Sequence, residues 1–212
     1  MTISWFGQSF FRINTKNTKG EDLTLAIDPF SKDYGLKLPV KFGADILLVT
    51  HEHKDHNNVS LIKGTGLSPE PFLISGPGEY EIKGIMIYGV PSFHDDQQGT
   101  QRGENTIYLI ESEDIWLAHL GDLGQKTLTP EQLEKLEGID ILMIPIGGTY
   151  TLDTKEANKL ISQIEPRIII PMHYQIPGLK LKLENLNKFI AETGLKPREE
   201  TKFKINKKNL PQ

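Results

Sequence analysis

A chain of 212 residues is long enough to bury a large core, and one domain spanning residues 1–212 is expected because no internal linker interrupts it. Its 37% hydrophobic and 25% charged residues, with 19 glycines, describe ordinary globular composition with many tight turns. The net charge of −4 argues against a nucleic-acid footprint, and the lack of cysteine excludes disulfides, thiolate ligands and a cysteine nucleophile.

The first half reads as strands. Ile3 to Phe6, Phe10 to Ile13 and Leu23 to Ile27 are short apolar or alternating runs, with a turn predicted over Asn14 to Gly20. No basic segment and apolar core of an export signal precede them, so a cytoplasmic location is expected. No apolar run approaches the roughly 20 residues of a membrane span. Asp28-Pro29 ends the third strand, and Pro39, Gly43 and the apolar run Asp45 to Val49 follow. Further strands are predicted over Phe72 to Ile74, Glu81-Ile82 and Ile85 to Tyr88, with Lys83-Gly84 turning a hairpin. A second hairpin joins Thr106 to Ile110 with Ile115 to Ala118 around Glu111 to Asp114.

The second half alternates helix and strand. Thr129-Pro130-Glu131-Gln132 is a capping box with proline at the first helical position, for a helix stopping at Gly138. Ile139 to Ile146 is a continuous apolar strand, as expected for one covered on both faces. Asp153 to Glu156 caps a second helix that ends before Pro166, and Arg167 to Pro171 is a buried strand running into Met172-His173. Leu183, Leu186, Phe189 and Ile190 form the apolar face of a third helix closed by Gly194. The basic tail Lys196 to Lys208 reads as a solvated last strand and chain end.

Chemistry concentrates in His51-Glu52-His53-Lys54-Asp55-His56, directly after an apolar strand. Three imidazoles and a carboxylate in six positions are poorly explained by packing, because buried uncompensated imidazoles are costly. His51 and His53, two apart in extended backbone, point the same way at one ion, and Asp55 and His56 face a second position. His94, His119 and His173 each lie at or just past the end of another apolar run, which predicts convergence on one sheet edge. With nitrogen and oxygen ligands only, zinc is the first expectation, and manganese or iron is admitted. The histidine spacing excludes a helical His-Glu-x-x-His site.

The order His51-x-His53-x-Asp55-His56, a later histidine, Gly121-Asp122 at a strand end, then Pro171-Met172-His173 resembles the metallo-β-lactamase superfamily. Trp5-Phe6-Gly7, Ile27-Asp28-Pro29, Gly76-Pro77-Gly78-Glu79-Tyr80, Arg102-Gly103-x-Asn105-Thr106 and His119 to Gly124 look like its small ascorbate-6-phosphate lactonase-like hydrolases. The resemblance covers nearly the whole chain. It implies an α/β fold, a four-layer αβ/βα sandwich of two mixed sheets flanked by helices, with two divalent cations at one edge. It places one on His51, His53 and His94 and the other on Asp55, His56 and His173, with Asp122 bridging and Asp28 hydrogen-bonding the histidine turn. The group often carries histidine where this chain has Gln8. His119, an odd offset from Asp122 in an extended strand, is expected beside the metal rather than on it.

From that resemblance follows a hydrolase in which two ions lower the pKa of a shared water and present hydroxide to a small ester, lactone or phosphorylated metabolite. Asp55 is expected to position the hydroxide and His119 to protonate the leaving group. A nuclease or phosphodiesterase of the same fold and a non-catalytic metal-binding module are the alternatives. Arg102 is read as an anion contact or a loop brace, and Tyr150 and Tyr174 as near-site or wall residues. The apolar Ile176 to Leu179 segment is read as a pocket lid or an oligomer contact.

Overall fold

The structure, a computed structural model, describes residues 1–39, 42–65 and 68–211. In chain order the strands are β1 (Thr2–Trp5), β2 (Phe11–Lys16), β3 (Asp22–Ile27), β4 (Gly43–Ala44), β5 (Ile46–Leu48), β6 (Lys63–Gly64), β7 (Phe72–Ile74), β8 (Gly78–Ile82), β9 (Ile85–Phe93), β10 (Glu104–Ser112), β11 (Ile115–His119), β12 (Ile141–Pro145), β13 (Ile168–Met172) and β14 (Phe203–Lys204). The helices are α1 (Pro130–Leu136), α2 (Thr154–Ile164) and α3 (Leu186–Thr193).

Two six-stranded sheets form, in the orders β14-β1-β2-β3-β5-β7 and β13-β12-β11-β10-β9-β8. Each is mixed: β14 through β3 pair antiparallel and β3, β5 and β7 parallel, while β8 through β11 pair antiparallel and β11, β12 and β13 parallel. Apolar side chains from the inner faces interdigitate. Ile13, Leu25, Ile27 and Leu48 of the first sheet meet Ile87, Tyr108, Ile110 and Met143 of the second. Each fully buried aliphatic side chain there contributes about 1.5–3 kcal/mol.

The expected sandwich is present, with its outer layers built differently. All three α-helices among the described residues cover the second sheet, where Leu136, Leu160 and Phe189 pack on Leu109, Leu142 and Ile144. The outer face of the first sheet is sealed by Phe10, Phe30, Phe42 and Ile62, from loops that include 3-10 turns at 32–34 and 59–61 and the β4·β6 ribbon.

Local chemistry sets most boundaries as expected. Thr129 and Gln132 make the reciprocal cap of α1, and Asp153 and Glu156 that of α2. Several strands run longer than expected, and two boundaries have a plain local cause. β2 continues to Lys16, opposite Asp22, because Asn17 Oδ1 accepts from the amides of Lys19 at 3.0 Å and Glu21 at 2.9 Å and confines the turn. The third helix begins after Leu183, because Asn185 accepts from Lys188 N and starts it there.

The topology positions the site. β3 and β5 run parallel in one sheet, and in the other β9, β11 and β13 share one direction, since β9 and β11 both oppose β10. The segments bearing Asp28, His51 to His56, His94, Asp122 and His173 leave the C-terminal ends of these five strands.

Candidate metal centre

The predicted ligands converge in two groups. His51, His53 and His94 form one, and Asp55, His56, Asp122 and His173 the other, with the donor atoms of each group within 4.8 Å of one another. All are buried except His53. Asp122 joins the groups: its Oδ2 lies 3.1 Å from His56 Nε2, 3.2 Å from His173 Nε2 and 3.4 Å from His94 Nε2.

The ring orientations are fixed from behind. His51 Nδ1 contacts the Thr50 hydroxyl at 2.9 Å, and that hydroxyl donates to Asp28 Oδ2 at 2.7 Å. Asp28 also accepts from Thr50 N at 2.8 Å and meets His56 Nδ1 at 2.9 Å. These contacts turn the opposite nitrogens inward: His51 Nε2 is buried without a hydrogen-bond partner, and His56 Nε2 faces the Asp122 carboxylate at 3.1 Å. Unpartnered buried nitrogens beside carboxylates fit divalent cations, and a carboxylate behind the ring is the usual support of a metal-bound histidine.

The electrostatics reflect the crowding. Burial, helped by the charge on His56, pushes His51 down to about 2. Burial alone would lower His173 too, but the Asp122 carboxylate outweighs it and lifts His173 to about 9. His56 is raised by Asp122, Asp55 and Asp28 against the same burial. Asp55 and Asp122 are held below the usual carboxylate range, burial being outweighed by His56 for Asp55 and by His173 and His56 for Asp122. The ionised Asp55 and Asp122 carboxylates therefore favour a positive charge beside them, while His51 stays neutral.

His119 is fully buried and has neither nitrogen free. Nδ1 accepts from Gly121 N at 3.2 Å, so Nε2 carries the proton and donates to Ser9 O at 3.0 Å. The ring thus braces the Gly121-Asp122 turn, and the expected transfer of a proton to a leaving group finds no available atom there. Ser9 in turn donates from Oγ to Asp122 Oδ1 at 3.2 Å.

The sequence reading did not find Ser9 or Tyr34, whose phenol is raised by burial and by neighbouring Asp55. It also missed Asp95, the anchor of the loop after His94. The buried Asp95 carboxylate accepts from the amides of Gln97, Gly99, Gln101 and Arg102 at 2.7–2.9 Å. That loop carries Arg102, whose guanidinium sits 5.7 Å from the Tyr150 ring centroid and joins it to the 147–152 loop. Tyr174 is a wall residue, its ring 4.9 Å from that of Trp5. The 176–179 segment is folded down: Ile176 meets Gly7, and Lys180 N donates to Tyr34 O at 3.0 Å.

Three non-glycine residues of the centre adopt left-handed backbone: Gln8 (φ 49), Asp28 (φ 50) and His173 (φ 50). Such conformations cost on the order of 1 kcal/mol or more each and persist where surrounding contacts over-determine them.

Comparison with known proteins identifies the family. The profile of the β-lactamase superfamily domain matches residues 2–173. A Staphylothermus marinus protein named a metal-dependent hydrolase is 30% identical, over 90% of this chain and 91% of its own length. A Methanopyrus kandleri protein of the same description is 28% identical, over 92% and 94%. A Thermotoga maritima structure, provisionally described as a Zn-dependent hydrolase of the metallo-β-lactamase superfamily, superposes with TM-score 0.76 at 33% identity, covering 96% of this chain and 91% of its own. The Ignicoccus hospitalis metallo-hydrolase Igni18 shares the fold, with TM-score 0.68 at 22% identity over 97% and 99%. By sequence, fold and site, the chain belongs to the β-lactamase superfamily and groups with its metal-dependent hydrolases.

Proposed function

We propose that the protein hydrolyses a small ester, lactone or phosphorylated metabolite with two divalent cations, zinc first among them. The observation that carries this reading is the unpartnered, buried His51 Nε2 and the inward-facing His56 Nε2, in candidate ligand groups that meet at Asp122. His51, His53 and His94 would hold one cation and Asp55, His56 and His173 the other, with Asp122 between them. When bound, the pair supplies Lewis acidity and brings a water's pKa towards neutrality.

The side chains do the rest by position. Asp55, kept ionised, is suited to orient the attacking water by accepting its hydrogen bond. Asp28 and Thr50 keep His51 and His56 in the tautomers that turn a lone pair into the centre. Arg102, held against Tyr150 on the loops flanking the centre, offers a guanidinium to an anionic substituent. The net charge of −4 favours a small substrate over a polynucleotide.

The test is a screen of lactone, thioester, phosphomonoester and phosphodiester substrates with metal-reconstituted protein and a His51→Ala control. Turnover abolished by the substitution supports the reading. Equal turnover in both proteins contradicts it.

A further inference from the structure

The Gln8 carboxamide, beside the imidazoles of this centre, also has contacts that do not balance. It is fully buried, its Oε1 has no hydrogen-bond partner, and its Nε2 lies 3.4 Å from Asp55 Oδ2 and 3.2 Å from His173 Nε2. The backbone fixes it there at φ 49, with Gln8 O accepting from Trp5 Nε1 at 2.8 Å and from His173 N at 3.0 Å. A strained residue thus buries an unpaired amide oxygen within the second ligand group.

His173 Nε2 has one lone pair, which serves either the Gln8 amide or a cation. With a cation on His173, the present amide orientation faces an N–H toward metal and leaves Oε1 without any use. A half-turn about Cγ–Cδ exchanges oxygen and nitrogen without changing the side chain's shape. The oxygen then stands 3.2 Å from His173 Nε2 and 3.4 Å from Asp55 Oδ2. That is the spacing of neighbouring donors each about 2.1 Å from one ion and roughly 100° apart.

We propose that Gln8 is a further ligand, through its carboxamide oxygen, of the cation held by Asp55, His56, Asp122 and His173. The inference rests on reading the cluster as a metal centre and makes its two positions unequal. The His51, His53 and His94 position is nitrogen-rich and suits zinc. The other gains a majority of oxygen donors from Asp55, Asp122 and Gln8 beside two imidazoles, which favours manganese or ferrous iron.

Titration of metal-free wild type, Gln8→Met and Gln8→Glu with Co2+ reads this without any substrate, through the visible spectrum and affinity against a competing chelator. Wild type is expected to bind two Co2+ ions, one with the weak bands of a five-coordinate site. Gln8→Met is expected to lose those bands and weaken one of the two ions by about 10–100-fold, while Gln8→Glu keeps both. Wild-type binding of two ions with an unchanged Gln8→Met spectrum and affinities overturns this inference alone. A wild type that binds no Co2+ overturns the metal reading with it. If Gln8→Met fails to fold, Gln8→Glu decides: an anionic oxygen that weakens the second ion overturns the proposal.

Discussion

Asp28, at the C-terminal end of β3, meets His56 with Oδ2 2.9 Å from Nδ1, although the two residues are 28 apart in the chain. The same carboxylate receives the hydroxyl and amide of Thr50, so one side chain sets the aim of both His51 and His56. Asp28→Asn keeps the shape but gives up the charge that holds His56 Nδ1–H. The expected result is a loss of about 10–100-fold in metal affinity, measured by competition with a chromogenic chelator. Unchanged affinity would mean that the histidine turn holds its own rings.

His119 is braced by backbone on both nitrogens. Its replacement by alanine leaves Ser9 O and Gly121 N unpaired around a cavity and is expected to cost about 2–4 kcal/mol in urea unfolding of the metal-free protein. The pH profile of the residual turnover should keep its shape. A lost ionisation in that profile would instead give His119 a proton-transfer role.

Two glycines pack on the backbone of candidate ligand residues. A Cβ on Gly124 would collide with the carbonyl of His94, and one on Gly147 with the carbonyl of His173. Gly124→Ala should therefore weaken the cation of the His51 group, and Gly147→Ala that of the Asp55 group. Metal counts at limiting chelator distinguish them: each variant is expected to retain one ion per chain, and two retained ions in both would show that the loops shift freely.

Glu113 links the β10–β11 turn to the chain start, accepting from the Met1 ammonium at 2.7 Å and from Thr15 Oγ1 at 2.7 Å. Burial raises its carboxyl, but these hydrogen bonds outweigh that and bring it below its ordinary 4.5. A group with a lowered folded pKa stabilises fully above its unfolded value and loses that contribution as pH falls through the folded one. Glu113→Gln should thus lower Tm at pH 7, with the gap to wild type closing below about pH 4.5. A gap constant with pH would assign the effect to packing.

The candidate metal centre was legible because its densest part is local. His51 to His56 lie within six positions, and His94, Asp122 and His173 follow apolar runs whose strand character is plain. Strands broken by glycine or proline were read short: β9 continues through Gly89 and Pro91 to Phe93, held by its pairing with β10 rather than by its pattern. Gln8 and Ser9 were harder. Their partners Asp55, Asp122 and His173 lie 47 to 165 residues away, and no spacing in the turn after β1 announces them. The outer layer of the first sheet was hidden for a related reason, since Phe10, Phe30, Phe42 and Ile62 come from separate loops with no shared period.

The most direct measurement is metal analysis of the purified protein, paired with turnover before and after chelation. The account predicts two divalent ions per wild-type chain, activity lost with their removal and restored by added zinc or manganese. Full turnover from protein shown to contain no metal would contradict it.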